Sequence, residues 1–316
     1  MKKLIIAFLG VFILLSVTFI FGQRAWRNRV PKHLVKKTIE VDGLERDYYV
    51  FIPKNLKKEE KVPLVFVFHG GGGTAVRMDK FTNFSELAEK EKFVVVYPQG
   101  VQNHWNDGRE VNAIEENGKY VDDLAFVKAM LDEVGKDHNI DQKRIFSTGL
   151  SNGGFFSNYL AVNLSEKFAA IAPVIGGISK PLSENFNPKK SISVFIIQGT
   201  EDKLVPYNGG TVAGNRGEFI STDDAVSLWT NHNKTSKNST KGNLPDTDKK
   251  DGCTVETFLW TKGKNNTEVK LFKLNGGGHT WAGGSQYLPK LIVGNVCRDF
   301  DATEVIWEFF KNHPKQ

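Results

Sequence analysis

The chain has 316 residues, 40% of them hydrophobic and 25% charged, an ordinary globular composition that excludes a disordered, collagen-like or disulfide-scaffold protein. Its net charge of +6 is unevenly placed: residues 1–37 hold eight Lys or Arg and no acid, and setting those eight aside leaves −2 for the remainder. A nearly neutral body has no basic stripe for nucleic acid, and a chain of this length buries about 75% of its unfolded surface without metal or disulfide staples.

Residues 4–21 are an apolar run interrupted only by Gly10, Ser16 and Thr18 and preceded by Lys2 and Lys3. Residues 1–23 therefore read as a secretory signal peptide or a membrane anchor. Phe19, Ile20 and Phe21 are bulky where a peptidase needs small side chains, which favours an uncleaved anchor near the minimum length for a span. The positive charges after the run outnumber those before it, which by the positive-inside rule would keep the rest in the cytoplasm. A short basic N-terminus ahead of an apolar run exports, and export is the expectation. Residues 24–37 read as a basic tether and 38–316 as one folded domain.

Residues 36–42 and 45–52 alternate around Asp42-Gly43, a hairpin signal. Residues 62–68 are a nearly continuous β-branched and apolar run, as in a strand buried on both faces of a parallel sheet, and it ends in His69-Gly70-Gly71-Gly72-Gly73. A helix over 84–91 precedes a buried strand over 93–97, closed by Tyr97-Pro98-Gln99-Gly100. Leu124, Val127, Leu131 and Val134 set an amphipathic helix over 122–138, with Asp122 or Asp123 as its cap. A strand over 145–148 leads to Gly149-Leu150-Ser151-Asn152-Gly153 and a helix over 155–164. Strands over 168–175 and 192–197 follow, the second running into Gln198-Gly199-Thr200-Glu201-Asp202. After a helix over 223–231, residues 234–252 are a polar, solvated loop insertion. Strands over 255–260 and 269–274 and a helix over 301–310 complete the chain, which shows no internal repeat. This alternation predicts an α/β fold, a mostly parallel, doubly wound sheet flanked by helices.

In such a sheet functional residues gather at the carboxyl ends of the strands. Ser151 lies between two glycines at a strand-to-helix turn, the form of a nucleophile elbow. The glycines after His69 let backbone N–H groups approach a ligand, so an oxyanion hole would combine the N–H groups of Gly71 and Asn152. Asp202 follows a later strand, and His279 comes last, in Gly276-Gly277-Gly278-His279-Thr280-Trp281. The chain order Ser, acid, His is that of an α/β-hydrolase triad. Ser151 would attack, His279 would take its proton, and Asp202 would hold the imidazole in the useful tautomer. Glu201 and Asp224 compete for the acid role; Asp202 is favoured because it lies just past the strand-end turn and ahead of Val205-Pro206.

With these residues in place the chain resembles the secreted polyhydroxybutyrate-depolymerase and feruloyl-esterase-like α/β-hydrolases. The likeness rests on the His-Gly-Gly-Gly-Gly run, Tyr97-Pro98-Gln99-Gly100, Trp105-Asn106-Asp107-Gly108, Val121-Asp122-Asp123, Gly149 to Gly154, residues 169–174, Gly199-Thr200-Glu201-Asp202 and residues 276–284. It extends from about residue 45 to 310, and Gly-Gly-His-Thr-Trp is its most specific part. The resemblance implies a serine carboxylesterase without metal or cofactor, with Ser151, Asp202 and His279 as triad. Ala282 departs from the Pro that commonly follows the Trp, which puts the pocket rim in question.

His69, Trp105 and Trp281 are candidate pocket residues, from their nearness to motif glycines. Cys253 and Cys297 permit one disulfide in an exported chain, and are too few and scattered for a zinc site. The expected partner is a small or oligomeric ester (feruloyl, acetyl or hydroxyalkanoate), taken by a monomer that contacts membrane at least during export and binds no nucleic acid. A serine peptidase of the same fold and a non-catalytic surface carbohydrate binder are the alternatives.

Overall fold

A computed structural model gives the fold of residues 30–57, 59–110 and 113–316; the signal or anchor reading of residues 4–21 and the first part of the tether lie outside the described residues. The strands are β1 (Leu34–Val41), β2 (Leu44–Phe51), β3 (Val62–Phe68), β4 (Val94–Pro98), β5 (Glu115–Glu116), β6 (Lys119–Tyr120), β7 (Ile140–Leu150), β8 (Ala170–Val174), β9 (Ser193–Gly199), β10 (Gly210–Thr211), β11 (Glu218–Phe219), β12 (Thr240–Asn243), β13 (Thr254–Trp260) and β14 (Val269–Asn275). The α-helices are α1 (Ala75–Thr82), α2 (Phe84–Glu91), α3 (Asp123–Asp137), α4 (Asn152–Asn163), α5 (Lys180–Glu184), α6 (Thr222–Asn233), α7 (Lys290–Val293) and α8 (Ala302–Asn312).

Ten strands form one sheet in the order β1-β2-β4-β3-β7-β8-β9-β14-β13-β12, while β5 with β6 and β10 with β11 make separate short pairs. From β4 through β14 the pairing is parallel, and antiparallel strands extend the sheet on both sides. Every residue of β3, β4, β8 and β9 is buried, because helices cover both faces and leave no polar side for these strands to present. On one face Met78, Phe84, Ile306 and Phe309 bring in α1, α2 and α8. On the other, Phe126, Phe156 and Trp229 bring in α3, α4 and α6. This is the doubly wound α/β-hydrolase architecture that the alternation of elements predicts. The hairpin at its edge also follows the sequence: Asp42 and Gly43 have φ of 54° and 81°, as a two-residue turn with both central residues left-handed requires, and Val41 pairs with Leu44.

Two expectations are corrected. The tether reaches into the fold, since residues 34–37 belong to β1. Lys36 pairs with Asp47 at 2.7 Å, and Lys37 meets Asp137 and Glu133, so these lysines serve an edge strand, where charge guards against further pairing. The polar segment 234–252 is not all loop: β12 pairs with β13, and Asp299 accepts the N–H groups of Thr247 and Asp248. Among the described residues, no helix is long and apolar enough to cross a membrane.

Candidate active site

Ser151 stands between the end of β7 and the start of α4 with φ 56° and ψ −116°. Such a conformation costs a non-glycine residue about 1–3 kcal/mol and persists only when its surroundings over-determine it. They do so here. Ser151 N–H donates to Val174 O, and Phe155 N–H to Ser151 O, both at 2.9 Å. A Cβ at Gly149 would lie 2.6 Å from Gly153 C and 2.8 Å from Phe68 O, and one at Gly153 would lie 2.7 Å from His69 O. Both glycines are thus required by the close passage of the turn over β3, and the elbow has the shape its sequence predicts.

Asp202 follows β9 and His279 follows β14, at the same carboxyl edge of the sheet as Ser151. His279 Nδ1 lies 2.7 Å from Asp202 Oδ2, and both side chains are almost completely buried. The other carboxylate oxygen of Asp202 accepts the N–H groups of Leu204 and Val205, each at 2.8 Å. One oxygen therefore fixes the acid and the other orients the imidazole, leaving Nε2 for a proton from a nucleophile. Of the competing acids, Glu201 is exposed and Asp224 accepts the Ser221 hydroxyl at the cap of α6. Among the described residues no hydrogen bond joins Ser151 Oγ to His279 Nε2; such bonds often tighten only with substrate in place.

The two glycine-rich loops meet beside the elbow. A Cβ at Gly71 would stand 3.8 Å from Asn152 Cβ. Gly72 N–H donates to Asn103 O and Gly73 N–H to Gly70 O, whereas among the described residues the N–H groups of Gly71 and Asn152 have no acceptor. Two neighbouring donors, one at a helix N-terminus, can receive an oxyanion.

Asn152 holds the elbow to a loop whose role the sequence does not reveal. Its Oδ1 accepts Trp105 N–H at 2.9 Å, and its Nδ2 donates to Trp105 O and, at 2.6 Å, to Asp107 Oδ2. Arg109 closes the network on Asp107 at 2.6 Å and lies over the Phe155 ring. Asp107 is therefore a buried, paired carboxylate that sets the first residue of α4; its only sequence signal is its place in Trp-Asn-Asp-Gly. His104 is also at the site: its ring packs on Gly71, and its Nδ1 bonds to Gln102 O. Beyond these groups opens a cleft of about 940 Å³, whose walls include His104, Trp105, Arg109, Asn152 and Tyr159.

Trp105 borders this cleft, although it is mostly buried between Phe68 and Phe156. The other candidate pocket residues do not. His69 is buried; Nδ1–H donates to Gly70 O at 2.8 Å and Nε2 accepts Gly100 N–H at 3.0 Å. It pins the glycine loop to the Tyr-Pro-Gln-Gly turn as a neutral ring. Burial, reinforced by His104, depresses its pKa to about 4. Trp281 is a core residue: it packs on Phe84 and donates to Thr303 Oγ1. Ala282 is completely buried and its carbonyl accepts Ala302 N–H, so it lies in the core beside α8 and not at a pocket rim.

Cys253 and Cys297 are buried free thiols rather than a disulfide. They are neighbours, and the contact with Cys297, together with burial, raises the pKa of the Cys253 thiol. Cys297 also gathers with Asp251 and Asp299, but these carboxylates are engaged: Asp251 accepts Cys253 and Arg298 N–H groups and Asp299 those of Thr247 and Asp248. They fasten loops.

The chain has relatives. Residues 46–182 match the esterase PHB depolymerase family. The chain is 28% identical over 244 residues to a bifunctional acetylxylan esterase/xylanase of Neocallimastix patriciarum, an alignment covering 75% of this chain and 31% of the relative. It is 26% identical to feruloyl esterase B of Piromyces equi, over 74% of this chain and 42% of that protein. This chain therefore spans less than half the length of these two relatives. Among solved structures, the acetyl xylan esterase from Aspergillus awamori superposes with a TM-score of 0.56 at 15% identity, covering 78% of this chain and 94% of that one; at that identity the likeness is one of fold. The resemblance to depolymerases and feruloyl esterases carried by the motifs is borne out.

Proposed function

We propose that this protein hydrolyses carboxylic esters outside the cytoplasm, through an acyl-enzyme on Ser151. The observation that carries the proposal is the joining of a strained nucleophile elbow, two unengaged N–H donors and a buried Asp202–His279 pair at one sheet edge. His279 Nε2 takes the Ser151 proton as Oγ attacks the ester carbonyl. The N–H groups of Gly71 and Asn152 receive the oxyanion, and His279⁺ returns the proton to the leaving alkoxide. Water then repeats the sequence on the acyl-enzyme and regenerates Ser151. The named activities of the relatives support an acyl group of the acetyl or feruloyl type, and the size of the cleft beyond Asn152 supports an alcohol portion larger than a simple alkyl group. Export rests on the apolar run at residues 4–21.

The test is hydrolysis of p-nitrophenyl acetate by Ser151→Ala. Turnover should fall by about 10⁶-fold, with a residue of about 10³–10⁴-fold over water from the oxyanion donors. A variant as fast as the parent would remove Ser151 from the reaction.

A further inference from the structure

Among the described residues, the large apolar side chains that stay exposed are concentrated in one place. Tyr287, Leu288, Leu291 and Ile292 form most of that set, and Leu291 is 82% exposed. They lie in and just before α7. This segment is joined to both loops of the acid–base pair: Tyr287 OH donates to His279 O at 3.0 Å, and Lys203, next to Asp202, donates from Nζ to Leu291 O. His279 N–H donates in turn to Val293 O. An apolar patch therefore stands at the rim of the candidate active site, with Lys203 and Lys290 exposed beside it.

The same patch lies close to where the N-terminal segment enters the fold. His33 bonds to Asp79 of α1 at 3.0 Å, and Phe81 of the same helix packs edge-on against Tyr287, ring centroids 5.6 Å apart. The start of the described chain and the patch thus flank one short helix, a body about 10 Å across. Only residues 22–29 separate the apolar run from Val30, and eight residues reach at most about 28 Å. A domain held on so short a leash must turn one of its faces to the bilayer.

We propose that the face bearing residues 287–292 rests on the lipid surface in which residues 4–21 are embedded, so that the active-site mouth opens at the membrane interface. Leu288, Leu291 and Ile292 enter the headgroup–acyl boundary, and Lys203 and Lys290 meet lipid phosphates, the pattern of an interfacial amphipathic segment. This rests on the anchor reading of residues 4–21 and not on the ester chemistry.

The experiment uses the full chain in vesicles of phosphatidylcholine with a minority of phosphatidylglycerol. An environment-sensitive fluorophore is attached to Leu291→Cys or, on α6 across the sheet, to Ser227→Cys, both exposed positions. Shallow doxyl-labelled lipid should lower emission at position 291 by about two-fold or more and leave position 227 unchanged, as for a side chain seated at the boundary. Release of the chain from the vesicles, equal emission at both sites, or shielding at 291 that follows protein density and not quencher lipid would each overturn the proposal, the last in favour of a second copy. In a second arm, Leu291→Asp/Ile292→Asp should keep its rate on p-nitrophenyl acetate and lose about ten-fold on an ester dissolved in the bilayer, from the apolar contact removed. Equal rates on both esters would overturn it. The fluorescence arm reads out even if the chain hydrolyses no ester.

Discussion

Asp202 is the residue on which the proposed acid–base pair depends. Its two oxygens divide the work, one anchored by Leu204 and Val205 N–H groups, the other on His279 Nδ1. In Asp202→Asn the side chain can keep its place, but an amide NH₂ facing Nδ1 favours the tautomer that carries its proton on Nε2, where a base needs a lone pair. Ester turnover should fall by about 10³–10⁴-fold with KM changed little, and a loss below ten-fold would assign the acid role elsewhere. At this scale the sequence was informative about placement: Ser151, Asp202 and His279, proposed from turn composition and chain order, lie at strand ends of one sheet edge, with His279 on Asp202. It failed where one residue type serves two ends. His69 and Trp281 lie beside motif glycines as pocket residues would, yet both are buried supports, and nothing in their local sequence separates the roles. Asp107 and His104 were missed because their contacts, to Asn152 and Gly71, cross between loops distant in sequence.

The loop after β3 is held by a ring that folding keeps uncharged. His69 has an ordinary pKa of 6.5 that falls to about 4 in the folded chain. Between those values the unfolded chain binds the proton and the folded chain does not. Stability from this group is therefore complete above about pH 6.5, declines as the pH falls toward 4, and is constant again below that, a total loss on the order of 3 kcal/mol. Urea midpoints measured from pH 7 to pH 4.5 should drop more steeply for the parent than for His69→Gln; parallel curves would mean that the ring is protonated in the fold. Among the elements, strongly patterned ones were legible: β3 and α2 have the bounds their apolar runs suggest, and Asp122 caps α3 through Ala125 N–H. The helix α1 was not, since it buries polar Asp79 and Thr82 beside Ala75 and Met78 and presents no clean stripe. The edge strand β12, exposed along its whole length, carries no apolar signal at all.

The parallel centre of the sheet is what brings the three residues of the proposed triad to one edge. Ser151, Asp202 and His279 follow β7, β9 and β14, and parallel pairing turns all three strand ends to the same edge. The whole architecture was readable because a fully apolar strand needs helices on both faces and therefore a crossover before the next parallel strand. Of the antiparallel additions, the β1–β2 hairpin and β13 were readable too, and β12 was not, being polar and set by pairing more than by burial. A site assembled in this way should single out one serine among all those in the chain. The measurement that tests this most directly is reaction with a fluorophosphonate probe followed by peptide mapping of the full protein. One adduct is expected, on Ser151, at a rate that falls by about 10³-fold or more in His279→Ala, because the serine then has no base. An adduct on another serine, or ester hydrolysis that continues with Ser151 unmodified, would contradict the account.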